Sequence, residues 1–198
     1  SVYMVSIWDL VLEQQFGQIE IYDYELSFLD PVSSEALIDL RSQARISLIE
    51  PFFELPFTVT CGWRERSVMA RALPKTTELY QFEDQKGNPV PLPARGILLA
   101  QGLAQALGVN EGEEVELSSS LAGDCPHSLP VVAVVAQYLG SGLYLSLDQM
   151  ECLTGQKDTY SGAVLTSAAD IKGIFQNMPK LESIYSQSDL VDTFAEYM

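Results

Sequence analysis

The stretch that decides the fold spans residues 96–117 and reads GILLAQGLAQALGVNEGEEVEL. Its first four residues are a glycine and three apolar residues, which predict a short strand. A helix is predicted over 100–107, and Gly108 stands at the C′ position, where a left-handed residue commonly ends a helix. Apolar residues alternate with glutamates over 113–117, which predicts a half-exposed strand. The stretch therefore predicts a strand, a helix, a tight turn and a second strand.

The same β-rich character extends to both sides of this stretch. Short strands are predicted at regular spacing, and turn-forming Gly, Pro and Asn residues separate them. These further strands are expected at 64–72, 128–137 and 142–147. Residues 61–150 are therefore predicted to form a β-rich unit that one helix interrupts.

The segments that flank this unit each carry a strand, a helix and a second strand. On the N-terminal side the strands are expected at 19–28, with Pro31 ending the first one, and at 46–60. On the C-terminal side they are expected at 160–166 and 181–185. Two βαβ units can share one sheet with helices on one face, and right-handed crossovers are the default. The predicted class is α+β: two βαβ units form a mixed-sheet subdomain, and a β-rich subdomain is inserted between them.

The inward faces of the two crossover helices follow from apolar residues spaced three and four apart. A capping box of Ser167 and Asp170 is expected to begin the second helix. The residues expected to face the sheet are Leu37, Leu40 and Ala44 in the first helix and Ile171, Ile174, Phe175 and Met178 in the second. These side chains should share one core with Leu26 of the first strand.

Helices are also expected at both ends, because apolar residues recur at helical spacing over 2–16 and again before the C-terminus. The chain starts without Met and ends inside the last of these helices, so we expect it to be a piece of a longer protein. The predicted organisation is an N-terminal helix in 1–19, a βαβ-built subdomain of 20–60 and 151–187, an inserted β-rich subdomain of 61–150, and a C-terminal helix in 188–198.

The charge balance excludes two classes of partner. The 198 residues contain 11 Lys and Arg against 27 Asp and Glu, a formal net charge of −16. Nucleic acids and anionic lipid surfaces are both bound through clustered cations, so neither is expected as a partner. No apolar run reaches the length of about 18 residues that a membrane span needs. No signal peptide is visible at the N-terminus of the sequence.

The residues that most often carry chemistry are few. His127 is the only histidine, and it follows Cys125 by two positions, which is too short a spacing for a zinc grip. None of the three cysteines, Cys61, Cys125 and Cys152, has metal-ligand spacing, and all three are interpreted as small buried hydrophobes. A Cys61–Cys125 disulfide would require an oxidising compartment, and the sequence leaves this question open.

Two further patterns invite a functional interpretation and fail its requirements. The segment 140–142 reads Gly-Ser-Gly but lacks the residues of a phosphate-binding loop or a nucleophile elbow, so a turn is expected. The acidic run of Glu111, Glu113, Glu114 and Glu116 is expected to form a solvated strand face, because a cation site needs oxygen ligands that converge. The residues alone therefore favour a binding or mechanical module without catalytic residues, cofactor or metal.

The deciding stretch also resembles a family phrase. Residues 92–115 resemble the phrase G-V-L-L-S-x-x-L-A-x-x-L-G-V-x-x-G-D-x-V-x-L, which is typical of the extracytoplasmic domains of FtsX-like ABC transporter permeases, the MacB-type group. Ala100 replaces the usual Ser, and Glu113 replaces the usual Asp. The family-motif structural positions are Gly96, Leu98, Leu107, Gly108, Gly112 and Val115. Segments 22–51 and 132–148 resemble the family's opening βαβ unit and its later hairpin and helix start, so the resemblance covers most of the chain.

The resemblance implies a domain between the first and second transmembrane helices of a permease, on the periplasmic or extracellular side of the plasma membrane. The helices in 1–19 and 188–198 would be stalks, the βαβ subdomain would be membrane-proximal, and the β-rich subdomain distal. The implied partners are a cytoplasmic ATP-binding subunit or domain, a second permease copy or homologue in a dimer, and a transported substrate such as a lipoprotein, peptide, lipid or drug. ATP hydrolysis elsewhere would drive the domain between two arrangements.

Two alternatives stay open at this point. The L-G-V-x-x-G-x-x-V pattern of residues 107–115 also occurs in psi-type barrels, so the chain could be a soluble acidic binding module attached to an ATPase. The third interpretation is an enzyme with a site that the sequence does not reveal; it would require a deep pocket that gathers His127 with acidic residues.

Overall fold

Nine strands and five helices follow one another along the residues that the computed structural model describes, which are 20–43, 45–123, 125–137, 142–175 and 181–196. In chain order they are β1 (Tyr24–Val32), α1 (Ser34–Gln43), β2 (Ile46–Cys61), β3 (Arg64–Leu73), β4 (Ile97–Ala100), α2 (Gln101–Leu107), β5 (Glu114–Ser118), β6 (His127–Val135), β7 (Leu143–Ser146), α3 (Leu147–Thr154), β8 (Tyr160–Ser167), α4 (Lys172–Phe175), β9 (Leu181–Ser186) and α5 (Gln187–Glu196).

The chain divides into two compact units. Unit 1 consists of residues 1–52 and 158–198, and unit 2 consists of residues 53–157. The α+β class and a sheet with both parallel and antiparallel pairs are confirmed. The stalk and subdomain roles that the sequence assigns to 1–19, to 20–60 with 151–187, to 61–150 and to 188–198 stay predictions. The expected helix over 2–16 lies outside the described residues.

Unit 1 contains a four-stranded sheet in the order β2-β8-β1-β9. Its described pairings, β1 with β8, β1 with β9 and β2 with β8, are all antiparallel. Strand β8 therefore lies between the two strands of the first βαβ unit, and β1 lies between those of the second. This interleaving is the ferredoxin-like, split βαβ arrangement. The two strands of each βαβ unit are therefore separated by a strand of the other unit. That inserted strand runs antiparallel to both of its neighbours, so the whole sheet is antiparallel.

The core of unit 1 forms between this sheet and its helices. Leu26, Leu165, Ile171 and Phe175 are each fully buried, and Leu37 and Leu40 of α1 pack against them. The expectation of one shared core is therefore confirmed for Ile171 and Phe175. The residues of the two expected helix faces that lie outside the described ranges are Ala44 and Met178.

Three local expectations in unit 1 are wrong. Ile174 in the short helix α4 is 48% exposed. Its chain neighbours Ile171 and Phe175 occupy the core instead. Pro31 does not end β1, which continues to Val32 through a register irregularity against β8; proline is tolerated at such irregularities. The capping box does not form, because the backbone N–H of Ser167 donates to Asp23 Oδ2 at 3.0 Å and not to Asp170.

Unit 2 contains a closed ring of six strands. Its order is β3-β7-β4-β6-β5-β2, and β2 pairs with β3 over nine residue pairs to complete the ring. The β3–β7 and β4–β6 pairs are parallel, and the other four are antiparallel. Closure of a sheet removes exposed strand edges. All five predicted strands of this region occur, and their observed ends differ from the predicted ones by no more than two residues. The predicted ranges are 64–72, 96–99, 113–117, 128–137 and 142–147.

Side chains from every strand of the ring fill its interior. Val59, Ile97, Leu99, Leu117 and Leu143 are fully buried in one cluster. Helices α2 and α3 follow directly after β4 and β7, and each ends at a left-handed glycine. The predicted helix over 100–107 is thereby confirmed as α2, and α3 occurs where the family resemblance places a helix start.

Candidate functional site: an amide-lined cleft in unit 2

The turn after α2 requires glycine at its first position. Gly108 has φ 63° and its N–H donates to carbonyl oxygens at the end of α2, including that of Gln105 at 3.1 Å. The guanidinium of Arg64 lies against Gly108, since a Cβ atom there would be 1.8 Å from Nη1. The predicted C′ role of Gly108 is confirmed, and its positive φ is the reason for the glycine.

The other predicted motif positions lie around this turn and in the barrel. Gly112 closes the turn by donating its N–H to the carbonyl of Val131 at 2.8 Å. Gly96 is buried before β4, and its N–H donates to Oε1 of Gln149 at 3.3 Å. The remaining positions are buried in unit 2, and they are Leu98, Leu107 and Val115. All six therefore have structural positions in unit 2, and their assignment as family-motif positions stays a prediction.

The acidic run forms hydrogen bonds within the protein. Glu111 Oε1 accepts the N–H of Val134 at 3.0 Å, and Glu113 Oε2 accepts the N–H of Asn110 at 3.0 Å. Glu114 Oε2 accepts the hydroxyl of Ser128 at 2.7 Å. Among the described residues, no group of three or more His, Cys, Asp or Glu side chains could hold a metal ion. These carboxylates therefore fix the turn and the neighbouring strands.

The histidine and the cysteines are spread over unit 2. His127 is the first residue of β6 and pairs with Leu117 of β5. Cys61 is half-buried against the barrel core, whereas Cys125 and Cys152 are exposed, and all three are free thiols. The expectation that all three are buried is wrong for Cys125 and Cys152, because a loop and an outer helix face carry them.

A cleft of about 430 Å³ opens beside the Gly108 turn. Its lining is unusually rich in side-chain amides, with Ala104, Val109 and Val134 as its apolar part. The polar lining residues are Gln85, Gln101, Gln105, Asn110 and Glu111. Each primary amide offers both donors and an acceptor. The cleft therefore presents hydrogen-bond donors and acceptors side by side.

One wall of the cleft is an edge of β6. The β4–β6 register shifts by one residue, since Ile97 pairs with Val131 but Leu98 pairs with Ala133. Beyond this shift the N–H of Val134 points away from β4 and donates to the Glu111 carboxylate. The N–H of Ala136 donates to the carbonyl of Glu83 at 2.9 Å. On the side of β6 that faces the cleft, the backbone N–H groups of Val134 and Ala136 therefore bind a side chain and a loop carbonyl instead of a neighbouring strand.

The connection over 74–96 carries Gln85 to the cleft and is fixed at its tip by Asp84. Asp84 accepts the N–H groups of Lys86 and Asn88 at 2.8 and 2.9 Å and the side-chain amide of Asn88 at 2.9 Å. The Asn88 side chain, followed by the backbone N–H groups, holds the pKa of Asp84 below its ordinary value. The N–H of Gly87 donates to the carbonyl of Asp84 at 3.0 Å, which closes this turn.

A buried polar and aromatic cluster holds the same connection against the barrel. Arg71 of β3 donates from Nε to Glu54 Oε1 at 2.6 Å and from Nη1 to the Tyr80 hydroxyl at 2.7 Å. The ring of Phe82 lies 4.8 Å from that of Tyr144, centroid to centroid. Sequence reasoning missed this cluster, since its members are distant in the chain and show no periodicity; the adjacent aromatics Tyr80 and Phe82 were the only available signal.

An exposed tryptophan stands at the tip of the β2–β3 hairpin. Trp63 is 86% exposed, and the guanidinium of Arg64 lies 4.9 Å from the centroid of its ring. The same guanidinium contacts Gly108, which lines the cleft. The two side chains thus form a cation–π pair at an exposed site.

The comparisons with known proteins give a match in fold and none in sequence. No protein-family model matches the chain, and no curated protein matches it. Solved structures do match: 30 chains are similar in fold. One is the periplasmic region of MacB from Actinobacillus actinomycetemcomitans, with a TM-score of 0.60 and 10% sequence identity. The match covers 93% of this chain and 97% of the MacB chain.

A second similar structure is the extracellular domain of the noncanonic ABC-type transporter YknZ from Gram-positive bacteria. Its TM-score is 0.55 with 12% identity, and the match covers 82% of this chain and 98% of the YknZ chain. The fold is therefore that of the extracytoplasmic domains of ABC transporter permeases, as the resemblance predicted. None of the described helices is long and apolar enough to cross a membrane.

Proposed function

We propose that this chain is the extracytoplasmic domain of an ABC transporter permease. In this role it couples ATP hydrolysis in the cytoplasm to the handling of a substrate or partner outside the plasma membrane. The observation that carries the proposal is the fold similarity to the periplasmic region of MacB over 93% of the chain. The similarity to the YknZ domain supports it independently, because that domain comes from bacteria of a different envelope type.

The proposal includes the partners that such a transporter needs. An ATP-binding subunit or domain would act through the membrane part, and a second permease copy or homologue would complete a dimer. The domain itself would be non-catalytic, without cofactor. Among the described residues His127 forms no hydrogen bond with a cysteine thiol, which supports this part of the proposal, since a nucleophile and its base must lie within hydrogen-bond reach. Replacing His127 with Ala should leave transport by the intact protein unchanged.

One observation favours a second candidate. The six strands of unit 2 form a closed ring with parallel and antiparallel pairs, which suits the barrel-type binding module attached to an ATPase. That module would account for unit 2 but not for the ferredoxin-like unit 1. The permease proposal accounts for both units.

The two candidate functions place the domain on opposite sides of the membrane. Labelling of the domain's own cysteine thiols can show on which side it lies. Cys125 and Cys152 are exposed, so a membrane-impermeant maleimide should label them wherever it reaches the domain. The full-length protein that contains this chain is expressed in its native membrane, reduced briefly, and treated with the maleimide in intact cells or spheroplasts. We expect labelling before lysis.

The double variant Cys125→Ser with Cys152→Ser is the control, because it should lose the label that arises from this domain. Labelling of the native thiols only after lysis would contradict the permease proposal and favour the cytosolic barrel module.

A further inference from the structure

The amide-lined cleft combines two features that together define a ligand class. One wall of the cleft is the strand edge at Val134. The N–H of Val134 donates to the side-chain carboxylate of Glu111. In a strand the N–H and C=O of one residue point to the same side, so the carbonyl of Val134 faces the cleft as well. Gln101 and Gln105 of α2 also line the cleft.

This geometry suits a main chain better than other neutral polar groups. A strand edge offers one donor and one acceptor at a spacing that an extended peptide matches. The free stretch of the edge lies between Val131, which is bonded to the 112–113 turn, and Ala136, which is bonded to Glu83. At a rise of about 3.3 Å per residue, it accommodates about four residues of an added strand.

We propose that this cleft binds an extended peptide segment as an added strand beside Val134. The peptide carbonyl would replace the Glu111 carboxylate at the Val134 N–H, and the glutamine amides of α2 would bind the outer side of the peptide main chain. This inference holds whether or not the chain belongs to a permease, so its failure would leave the proposed function untouched.

Charge decides the kind of segment. The lining contains one carboxylate, Glu111, and the Arg64 guanidinium lies against the lining residue Gly108, while the whole chain has a net charge of −16. The net charge disfavours an acidic segment, whereas it does not oppose an uncharged or basic one. The cleft is therefore expected to select segments with uncharged or basic side chains.

The binding test uses the ¹⁵N-labelled 198-residue chain and a defined probe. The probe is the uncharged, β-prone peptide acetyl-Ser-Val-Thr-Val-Ser-amide, titrated into the millimolar range while amide shifts are followed by NMR. We expect saturable shifts at Val134 and at the side-chain amides of Gln101 and Gln105. The same peptide N-methylated at all five residues loses the main-chain donors of both edges, so it should bind at least about tenfold more weakly.

Two variants locate the site. Gln105→Trp fills the cleft from an exposed helix position and should abolish the shifts. Gln156→Trp places the same side chain at an exposed glutamine of unit 2 outside the cleft and should leave them intact. Thermal unfolding of both variants checks that the fold is retained.

The carboxylate that occupies Val134 gives the sharpest test. Glu111 competes with the peptide carbonyl for the Val134 N–H, so Glu111→Ala should tighten peptide binding several-fold. If Glu111 only stabilised the cleft, the same substitution would weaken peptide binding. Weaker binding by this variant at unchanged thermal stability would overturn the proposal. Equal binding of the N-methylated peptide, saturable binding of maltotetraose in place of the peptide, or no shift at any concentration would overturn it too.

Discussion

Unit 1 and unit 2 differ in how their strand edges are paired. Over the described residues the sheet of unit 1 is open, with β9 at the end of its strand order, whereas the six strands of unit 2 close into a ring. Strand β2 contributes its first residues to the open sheet and its later residues to the ring. An open sheet leaves backbone groups along its outer strands without strand partners, whereas in the ring this holds only for the local edge of β6 at Val134. We therefore expect unit 2 to resist local unfolding more strongly than unit 1.

The largest expected effect tests whether the two units unfold separately. Leu99 in unit 2 and Leu26 in unit 1 are both fully buried, so replacing either with Ala should cost about 2–5 kcal/mol of unfolding free energy. Hydrogen exchange read by mass spectrometry should show Leu99→Ala accelerating exchange only within 53–157. The matched Leu26→Ala variant should accelerate it only in β1, β8 and β9. Faster exchange in both units from either variant would show a single cooperative fold.

The Arg71 cluster should matter to unit 2 because it fixes the 74–96 connection. Arg71→Met removes the charge partner of Glu54 and the donor to Tyr80, and should cost about 1.5–3 kcal/mol in urea unfolding. Adding Glu54→Gln should recover part of this loss, since it removes the uncompensated carboxylate.

The exposed Lys75–Asp148 pair is the control for this ion pair. Its N–O distance is also 2.6 Å, but its side chains are 50% and 66% exposed. Lys75→Met should therefore change the unfolding free energy by about 0–1 kcal/mol. Equal losses from Lys75→Met and Arg71→Met would contradict the buried role of Arg71.

Unit 1 should be sensitive at a glycine where strands pack closely. A Cβ atom at Gly162 in β8 would lie 2.2 Å from the carbonyl oxygen of Leu26 and 2.4 Å from the ring of Phe52. Gly162→Ala should therefore cost about 1–3 kcal/mol by overpacking. Gly173→Ala is the matched control, because nothing lies within 4 Å of its Cβ position. Denaturant unfolding that ranks Gly173→Ala as the more damaging change would refute this packing argument.

The smallest effect is the pH response of the Asp84 turn in unit 2. Hydrogen bonds from Asn88 lower the pKa of Asp84 below its ordinary value of 3.8. The ionised turn therefore contributes stability above pH 3.8, and this contribution is lost as the pH falls through the lower folded-state pKa. NMR titration of the Lys86 and Asn88 amides should give a midpoint below 3.8. Asn88→Ala should move the midpoint up toward that value; a midpoint unaffected by the substitution would contradict the assigned cause.

Local signals predicted most strands and the helix α2 correctly. The reason is that alternation, helical spacing and the glycine after α2 act over a few residues. The errors occurred where a neighbouring strand or helix decided the outcome. Pro31 continues β1 because of its register with β8, and Ile174 faces outward because Ile171 and Phe175 fill the core.

The candidate site was predictable only in part. The Gly108 turn and the acidic run both line or border the cleft, and the sequence singled out both, but as a turn signal and a solvated face. That Glu111 meets the N–H of Val134 depends on a register shift between β4 and β6, and no local pattern encodes that shift. The same holds for Arg64, which contacts Gly108 from the distant β2–β3 hairpin.

The sequence by itself determined the α+β class, the β-rich stretch between two strand–helix–strand segments, the negative net charge, and the glycine turn after α2. Each of these depends on composition or on residues close together in the chain. Only the tertiary structure decided that the segments interleave into an antiparallel sheet, that six strands close into a ring, and that glutamines and a strand edge form one cleft. Those features depend on pairings between residues far apart in sequence, whose register is set by burial and packing rather than by local preference.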